Sequence, residues 1–210
     1  MSRIHFLFDG PDDARCTVAL AHGAGAGMDT PFMGWFAAEL AKRGLRVARF
    51  EFPYMAERRR IGKRGPPDKQ PVLIETWREV IETLGPDRLV IGGKSMGGRI
   101  ASMVADPAKV GGLICLGYPF HPVGKPHQLR VEHLQTLTTP TMILQGTRDP
   151  FGNQAEVAGY GLSNSIELHW LEDGDHDFKP RKGSGRTQAD HWNAAADSIE
   201  AFIRRIEQSS

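Results

Sequence analysis

One glycine-rich stretch, Gly92-Gly93-Lys94-Ser95-Met96-Gly97-Gly98, constrains the fold of this chain more than any other. The apolar run Leu89-Val90-Ile91 leads into it, and a helix-like stretch begins at Arg99. We interpret this order as a buried strand, a tight turn and a helix, because glycine allows a backbone approach that a Cβ atom would prevent. The G-x-S-x-G spacing around Ser95 is typical of a turn that exposes a serine hydroxyl at a helix N-terminus. Partial positive charge there favours a developing anion.

Two phosphate-binding motifs are excluded by single positions. A P-loop needs a glycine five residues before its second glycine, but that position holds Arg88. The segment His22-Gly23-Ala24-Gly25-Ala26-Gly27 lacks the last glycine of the dinucleotide-binding pattern in either register, because Met28 and Thr30 occupy the two positions. Neither glycine-rich segment therefore predicts nucleotide binding.

Composition restricts the class of protein. The chain has 210 residues, 40% of them hydrophobic, which suits a single α/β domain over residues 1–210. A formal net charge of +1 gives no argument for nucleic acid as a partner. Cys16 and Cys115 lie far apart and form no C-x-x-C pair, so we expect neither a disulfide nor a zinc site. No apolar run approaches a membrane span, and we expect a cytoplasmic protein that needs no metal or cofactor.

Apolar runs alternate with amphipathic stretches along the chain, which predicts a doubly wound, mostly parallel sheet of seven to eight strands with helices on both faces. Several segments carry specific expectations. Residues 53–71 show no apolar period and are predicted to form a loop, and the helix after Ser95 is predicted to end before Asp106. Short helices are expected over residues 129–137 and 153–161, and a final helix over residues 188–207, with His191 on or near its surface.

Three chemically useful side chains follow predicted strands, in the order Ser95, Asp149, His176. The carboxyl ends of parallel strands meet at one edge of a sheet, so these residues are expected to converge. A serine is a weak nucleophile unless an imidazole takes its proton, and the imidazole needs a carboxylate to fix its tautomer. We therefore predict a catalytic triad. Asp173, Asp175 and Asp177 are alternative acids, although near neighbours on one turn rarely face the same imidazole nitrogen.

A serine of this kind needs backbone N–H groups to stabilise an oxyanion. We predict the N–H of Met96 as one donor and that of Ala24 as the other, with Gly25 as the next choice. Of the other histidines, His22 is expected to be a packing or turn-fixing residue, whereas His121, His127 and His133 are placed to line a pocket. Gly25, His121 and Arg58 are the predicted substrate contacts.

Two basic features have alternative explanations. Lys94, beside the serine, either pairs with a carboxylate and tunes the site or is a solvated or locally paired lysine. The run from Arg58 to Arg64 follows a strand end. It either selects a substrate that carries a carboxylate or phosphate, or is simply a solvated charge run.

The motifs around His22–Gly27, Glu57–Arg60 and Gly92–Arg99 resemble the α/β-hydrolase superfamily, in particular its compact, dienelactone hydrolase-like branch. A closer resemblance is to small bacterial hydrolases of unassigned substrate, related to vertebrate testis-expressed hydrolase-like proteins. The resemblance implies an eight-stranded sheet with one antiparallel strand, and we expect the sheet to be shortened at the start here. Ser95 stands where dienelactone hydrolases proper have cysteine, which argues against their substrate. Only residues 120–139 are available for a lid, so we expect a minimal lid or none.

The leading hypothesis is a serine hydrolase that cleaves a small-molecule ester or thioester through an acyl-enzyme. A non-catalytic interaction module on a hydrolase fold is one alternative, because a fold does not determine a function. Acyl transfer to an acceptor other than water is the second. Nothing in the sequence indicates an oligomeric state.

Overall fold

A computed structural model describes residues 4–62 and 65–209. The strands are short, apolar and mostly buried: β1 (Phe6–Asp9), β2 (Thr17–Ala21), β3 (Arg46–Phe50), β4 (Leu89–Lys94), β5 (Gly112–Leu116), β6 (Thr141–Gly146) and β7 (Ile166–Leu171). The helices are α1 (Pro31–Lys42), α2 (Pro53–Ile61), α3 (Gln70–Leu84), α4 (Met96–Ala108), α5 (Gln154–Val157) and α6 (Gln188–Ser209). Two 3-10 turns cover Glu132–Gln135 and Lys182–Ser184.

The strands form one seven-stranded sheet in the order β1-β3-β2-β4-β5-β6-β7. Only β1 runs antiparallel to its neighbour among these strands. One face packs against α3 and α4 through a core that includes Trp77 and Ile100, and the other packs against α1 and α6 through Phe36 and Phe202. The predicted doubly wound α/β architecture is confirmed. The eighth strand that the resemblance implied is absent from the described residues.

The largest difference from the sequence prediction lies at residues 53–71, where a loop was expected. Residues Pro53–Ile61 form α2, which begins with proline at its first position and ends at Gly62, whose φ is 71°. Only Met55 is buried on this helix, so no apolar period marks it in the sequence. Arg58, Arg59 and Arg60 lie in its last turn, where cations complement the helix dipole. Lys63 and Arg64 lie outside the described residues.

Smaller differences concern helix lengths. Helix α4 continues through Asp106 and Pro107 and ends at Lys109, which adopts a left-handed conformation. The stretch 129–137 contains only the 3-10 turn. Residues 153–161 contain only the four-residue α5, which begins with a capping box formed by Asn153 and Glu156. Because the connection from β5 to β6 holds only that 3-10 turn, the described chain has no helical lid over the sheet edge.

The cysteines are both buried and free. No helix in the described ranges is long and apolar enough to span a bilayer. Within those same ranges, no cluster of three or more histidine, cysteine, aspartate or glutamate side chains is placed to hold a metal ion.

The junction between β4 and α4 is held against β2 by glycines. A Cβ atom on Gly97 would lie 2.5 Å from the carbonyl oxygen of Ala21 and 2.7 Å from that of His22. We expect Gly97→Ala to lower the free energy of unfolding by about 1–3 kcal/mol, because backbone must move to relieve the overlap. Gly34 in α1 is a matched helical control, since its added Cβ would lie 3.8 Å from its nearest neighbour, Arg49 Nη1. Urea denaturation of the two variants tests this, and equal stabilities would contradict the close approach.

Candidate active site

Ser95 lies in the turn between β4 and α4 in a conformation that few non-glycine residues adopt, with φ 51° and ψ −115°. Its N–H donates to the carbonyl of Leu116 on β5 at 3.0 Å, and its own carbonyl accepts from Arg99 in α4 at 3.0 Å. Such strained backbone persists only where the surroundings hold it, and it concentrates at functional sites. Ser95 also directly precedes α4, so the N–H of Met96 has no acceptor within the helix.

Asp149 and His176 form a buried acid–imidazole pair. Asp149 follows β6 and is fully buried, and its Oδ2 lies 2.7 Å from His176 Nδ1. Because an ionised carboxylate can only accept, Nδ1 donates and Nε2 is left as the proton acceptor of the neutral ring. The ring of Phe151 packs against the imidazole with centroids 4.4 Å apart.

Gln145 is a hydrogen-bond partner of Asp149 that was not predicted from the sequence. Its amide Nε2 donates to Asp149 Oδ2 at 2.9 Å, and its Oε1 accepts from the N–H of Tyr118 at 2.7 Å. The N–H of Phe151 donates to Asp149 Oδ1 at 2.9 Å. Both carboxylate oxygens therefore have donors besides the imidazole. The sequence signal that could have identified Gln145 was a polar residue directly after the apolar residues Met142, Ile143 and Leu144.

The three alternative acids are engaged elsewhere. Asp173 pairs with Arg148 and Arg181. Asp175 accepts from the backbone N–H groups of Asp177 and Lys179, and Asp177 faces Lys94. Asp149 is thus the carboxylate that the structure brings to His176.

Ser95 and His176 line one cavity of about 530 Å³ at the carboxyl edge of the sheet. Its apolar wall comes from Phe32, Phe151 and Trp192, and its rim from the loop that contains Gly23–Gly27. Among the described residues, Ser95 Oγ makes no hydrogen bond to His176. Catalytic hydrogen bonds are often long until a substrate tightens them, so shared access to one cavity is the relevant geometry.

Helix α2 holds the loop after β2 from behind. Tyr54 Oη donates to the carbonyl of Ala24 at 3.0 Å and, more weakly, to that of Gly23 at 3.4 Å. Arg58 Nη1 donates to the carbonyl of Gly25 at 3.0 Å. In a trans peptide the N–H points opposite to the C=O, so the N–H groups of Ala24 and Gly25 are directed away from α2.

A salt-bridge network anchors the far end of the same loop. Arg59 donates to both oxygens of Glu51 and to Asp29, and Glu51 Oε1 accepts from the N–H of Met28. Although burial alone raises the pKa of Glu51, the hydrogen bonds from Arg59 hold that pKa below its usual value. The basic residues at 58–60 therefore bind this protein's own loop and carboxylates.

Two of the predicted substrate contacts do not reach the cavity. Arg58 lies behind the loop, bound to the carbonyl of Gly25. His121 is buried, with its ring between the carbonyl of Pro122 and the carboxylate of Glu156. Gly25 does line the cavity. His191, expected near the surface, is buried and lies 2.8 Å from the carbonyl of Phe178, because its face of α6 packs under the loop that carries His176.

A second serine–histidine contact occurs away from this cavity. Ser102 Oγ lies 2.8 Å from His133 Nε2 but donates its own proton to the carbonyl of Arg99 at 2.7 Å. The nearby Tyr118 hydroxyl donates its hydrogen bond to the carbonyl of Arg130. His133 Nε2 therefore carries the proton and donates, which is the wrong tautomer for a base acting on Ser102. Burial also lowers the pKa of His133.

His22 fixes the start of the loop in its neutral form. Its Nδ1 donates to the carbonyl of Gly23 at 2.7 Å, and its Nε2 accepts from the N–H of Phe52 at 3.1 Å. Burial accordingly lowers the pKa of His22 from 6.5. The stability that His22 contributes is fully present above the unfolded-state pKa near 6.5. It is lost as pH falls through the lower folded-state pKa, because the unfolded chain then binds the extra proton.

We therefore expect the free energy of unfolding to fall between pH 7.5 and 5.5, and to fall less in His22→Gln, whose amide can still accept from Phe52. Urea titrations across this range test it. Burial also lowers the pKa values of His133 and His169, so the difference between the two proteins isolates His22. Equal pH dependence in both proteins would contradict this role for His22.

Comparison with known proteins shows the family and the fold of this chain. The model of one family, described as an alpha/beta hydrolase domain, matches residues 14–204. Est1E from Butyrivibrio proteoclasticus, solved with ferulic acid bound, is 13% identical with a TM-score of 0.71, over 96% of this chain and 96% of that one. A serine hydrolase without lid from Xanthomonas campestris is 19% identical with a TM-score of 0.69, over 96% and 88% of the two chains. A monoacylglycerol lipase from Paleococcus ferrophilus is 14% identical with a TM-score of 0.71, over 95% and 99%.

At these identities the solved structures show a shared fold, whereas the family model extends over nearly the whole chain. Three features are expected of that family: the tight turn that carries Ser95 between β4 and α4, the mostly parallel sheet and the buried acid–imidazole pair. The chain belongs to the alpha/beta hydrolase domain family.

Proposed function

We propose that this protein is a serine hydrolase that cleaves small esters or thioesters through an acyl-enzyme. The observation that carries the proposal is the convergence of Ser95 and the Asp149–His176 pair on one cavity. Family membership supports hydrolysis. The resemblance to the dienelactone hydrolase-like branch stays a prediction.

The proposed reaction runs in two halves. Ser95 Oγ attacks the substrate carbonyl carbon while His176 Nε2 takes the hydroxyl proton. The alcohol or thiol then leaves with that proton, and an ester between Ser95 and the acyl group remains. In the second half His176 takes a proton from water, hydroxide attacks the acyl carbon, and Ser95 recovers its proton as the acid leaves. Asp149 holds the imidazole in the required tautomer and stabilises its charged form.

Backbone groups are proposed to stabilise the oxyanion. The N–H of Met96 is free of a helical acceptor, and the N–H of Ala24 points away from α2 because Tyr54 holds the preceding carbonyl. Removing one such donor typically costs about 10²- to 10³-fold in kcat. The hydrogen bonds from α2 that hold this loop are therefore proposed to contribute to stabilisation of the oxyanion.

The cavity favours an uncharged substrate. Its walls include three aromatic rings, and its charged lining residues Lys94 and Asp177 face each other. Arg58 and Arg59 are bound to the loop and to carboxylates, so the suggestion that this basic run selects anionic substrates loses its support. The absence of a helical lid in the described chain leaves the cavity open to small substrates.

Rapid-mixing kinetics with p-nitrophenyl acetate and butyrate, beside an acyl thioester, test the proposal. We expect turnover of these substrates, with a burst of p-nitrophenol wherever deacylation is the slower half. Absence of any turnover would favour a non-catalytic module. Methanol added as a competing acceptor separates hydrolysis from acyl transfer, because a true transferase would direct most product to the methyl ester.

A further inference from the structure

Lys94 is a buried cation that the proposed reaction does not use. It is the last residue of β4, directly before Ser95, and its register partner is Leu116 on β5. Only 11% of its side chain is exposed. A lysine in such a position is costly unless its ammonium group has partners.

The partners of the ammonium group come from the loop that carries His176. Lys94 Nζ donates to the backbone carbonyl of His176 and lies 3.2 Å from Asp177 Oδ1. The ring centroids of Phe32 and Phe178 lie 5.1 and 5.7 Å from Nζ, within the range of cation–π attraction. The three N–H bonds of the group therefore all find acceptors or rings.

Gly117 encloses this contact from the side of β5. Its φ is 69°, and a Cβ atom there would lie 3.0 Å from Lys94 Nζ and 3.0 Å from the His176 carbonyl oxygen. The lysine is thus packed between the ends of two strands and the histidine loop.

Other donors hold the loop on both sides of His176, and before it the N–H of Arg148 donates to the carbonyl of Gly174 at 3.0 Å. The carbonyl of Asp177 accepts from Gln188 and Trp192, and that of Phe178 lies against His191, all three on α6. Within residues 4–62 and 65–209, Lys94 is the side chain that ties the backbone of His176 to β4, which ends directly before Ser95. The candidate nucleophile and base are therefore linked through one adjacent residue.

We propose that Lys94 is a positioning residue that fixes the backbone of His176 relative to Ser95, an inference that rests on the proposed function. Misplacement of a reacting group by about 1 Å can cost about 10²-fold in rate, so a single anchor at this point is influential. The ammonium group also lies among charges that bear on the imidazole. These are Asp149, Asp175 and Asp177, which oppose the lowering of the Lys94 pKa by burial.

The test compares kcat and KM of p-nitrophenyl ester hydrolysis in the wild type, Lys94→Met, Lys94→Arg and the surface variant Lys42→Met. Methionine keeps the length of lysine without a donor or a charge. We expect kcat of Lys94→Met to fall about 30- to 100-fold with KM within about twofold.

The companion variants separate positioning from general effects. Lys94→Arg keeps a charged donor and should recover at least part of the lost kcat. Lys42→Met controls for loss of a lysine, since Lys42 is on the surface with a 72% exposed side chain.

A folded Lys94→Met with wild-type kcat would overturn the proposal. If that variant does not fold, Lys94→Gln replaces it under the same criteria, and failure of both would assign Lys94 to folding and also overturn the proposal. Ser95→Ala in the same assay separates the two levels of inference. If the wild type shows no Ser95-dependent turnover, the proposed function fails. If turnover depends on Ser95 but not on Lys94, only the positioning role fails.

Discussion

Replacing Ser95 by alanine is expected to lower kcat for ester hydrolysis by at least about 10⁴-fold, because it removes the hydroxyl that is proposed to form the acyl-enzyme. Residual turnover would come from the oxyanion donors and from substrate binding. The fold should be retained, because alanine at this position meets the same backbone strain at φ 51° as serine does. Steady-state kinetics with p-nitrophenyl butyrate measures the change.

Ser102→Ala is the matched control for this prediction. Ser102 is buried in α4 and also contacts a histidine, but its proton goes to the carbonyl of Arg99. We expect this variant to keep a kcat near that of the wild type. The account of Ser95 would be contradicted if Ser95→Ala remained active while Ser102→Ala lost activity, because the nucleophile would then belong to the second pair.

Replacing Asp149 by asparagine is expected to lower kcat by about 10³- to 10⁴-fold, with Ser95 and His176 unchanged. Oδ2 of Asp149 accepts from both Gln145 and His176, and Oδ1 accepts from the N–H of Phe151. An asparagine amide nitrogen would face a donor in either orientation. With nitrogen toward His176, Nδ1 must become the acceptor, and Nε2 then carries the proton that it should remove from Ser95.

The measurement for Asp149→Asn is kcat with substrate at saturation, together with a near-ultraviolet spectrum to verify packing. Asp175→Asn is its control, because an asparagine oxygen there can still accept from the N–H groups of Asp177 and Lys179. A folded Asp149→Asn that retains a tenth or more of the wild-type kcat would show that another group orients His176.

The strands and the turn at Ser95 could be predicted from sequence because both depend on local patterns. Strands buried on both faces read as continuous apolar runs, as Thr17–Ala21 does. The turn at Ser95 requires glycines at fixed offsets, because β2 passes close to Gly97. Candidates for the nucleophile, acid and base then followed from where the strands end.

The features that were missed depend on contacts between distant residues. Helix α2 buries only Met55, and its partners in the loop after β2 lie about thirty positions away in sequence, as in the Arg58–Gly25 contact. A hydrophobic period cannot report such polar contacts. The burial of His191 has the same origin, since it depends on the loop at Phe178.

Lys94 and Gln145 are polar residues in otherwise largely apolar or glycine-rich strands. The sequence therefore draws attention to them, but it does not indicate their hydrogen-bond partners. Lys94 is the last residue of β4 and Gln145 is the last but one of β6, positions where a solvated side chain is the ordinary expectation. In the structure Lys94 turns to the carbonyl of His176, and Gln145 joins Asp149 to the backbone of Tyr118. Burial of a polar side chain beside a candidate triad is therefore better evidence of a role than its presence in the motif.

The central claim is that Ser95 is an activated nucleophile, and covalent labelling by a fluorophosphonate tests it most directly. The reagent reacts with a serine whose proton is taken by a neighbouring base, and peptide mass spectrometry then locates the adduct. The account predicts one adduct, on Ser95, formed rapidly by the wild type and by Ser102→Ala but not by Ser95→Ala. An unlabelled wild type, or an adduct on Ser102, would contradict it.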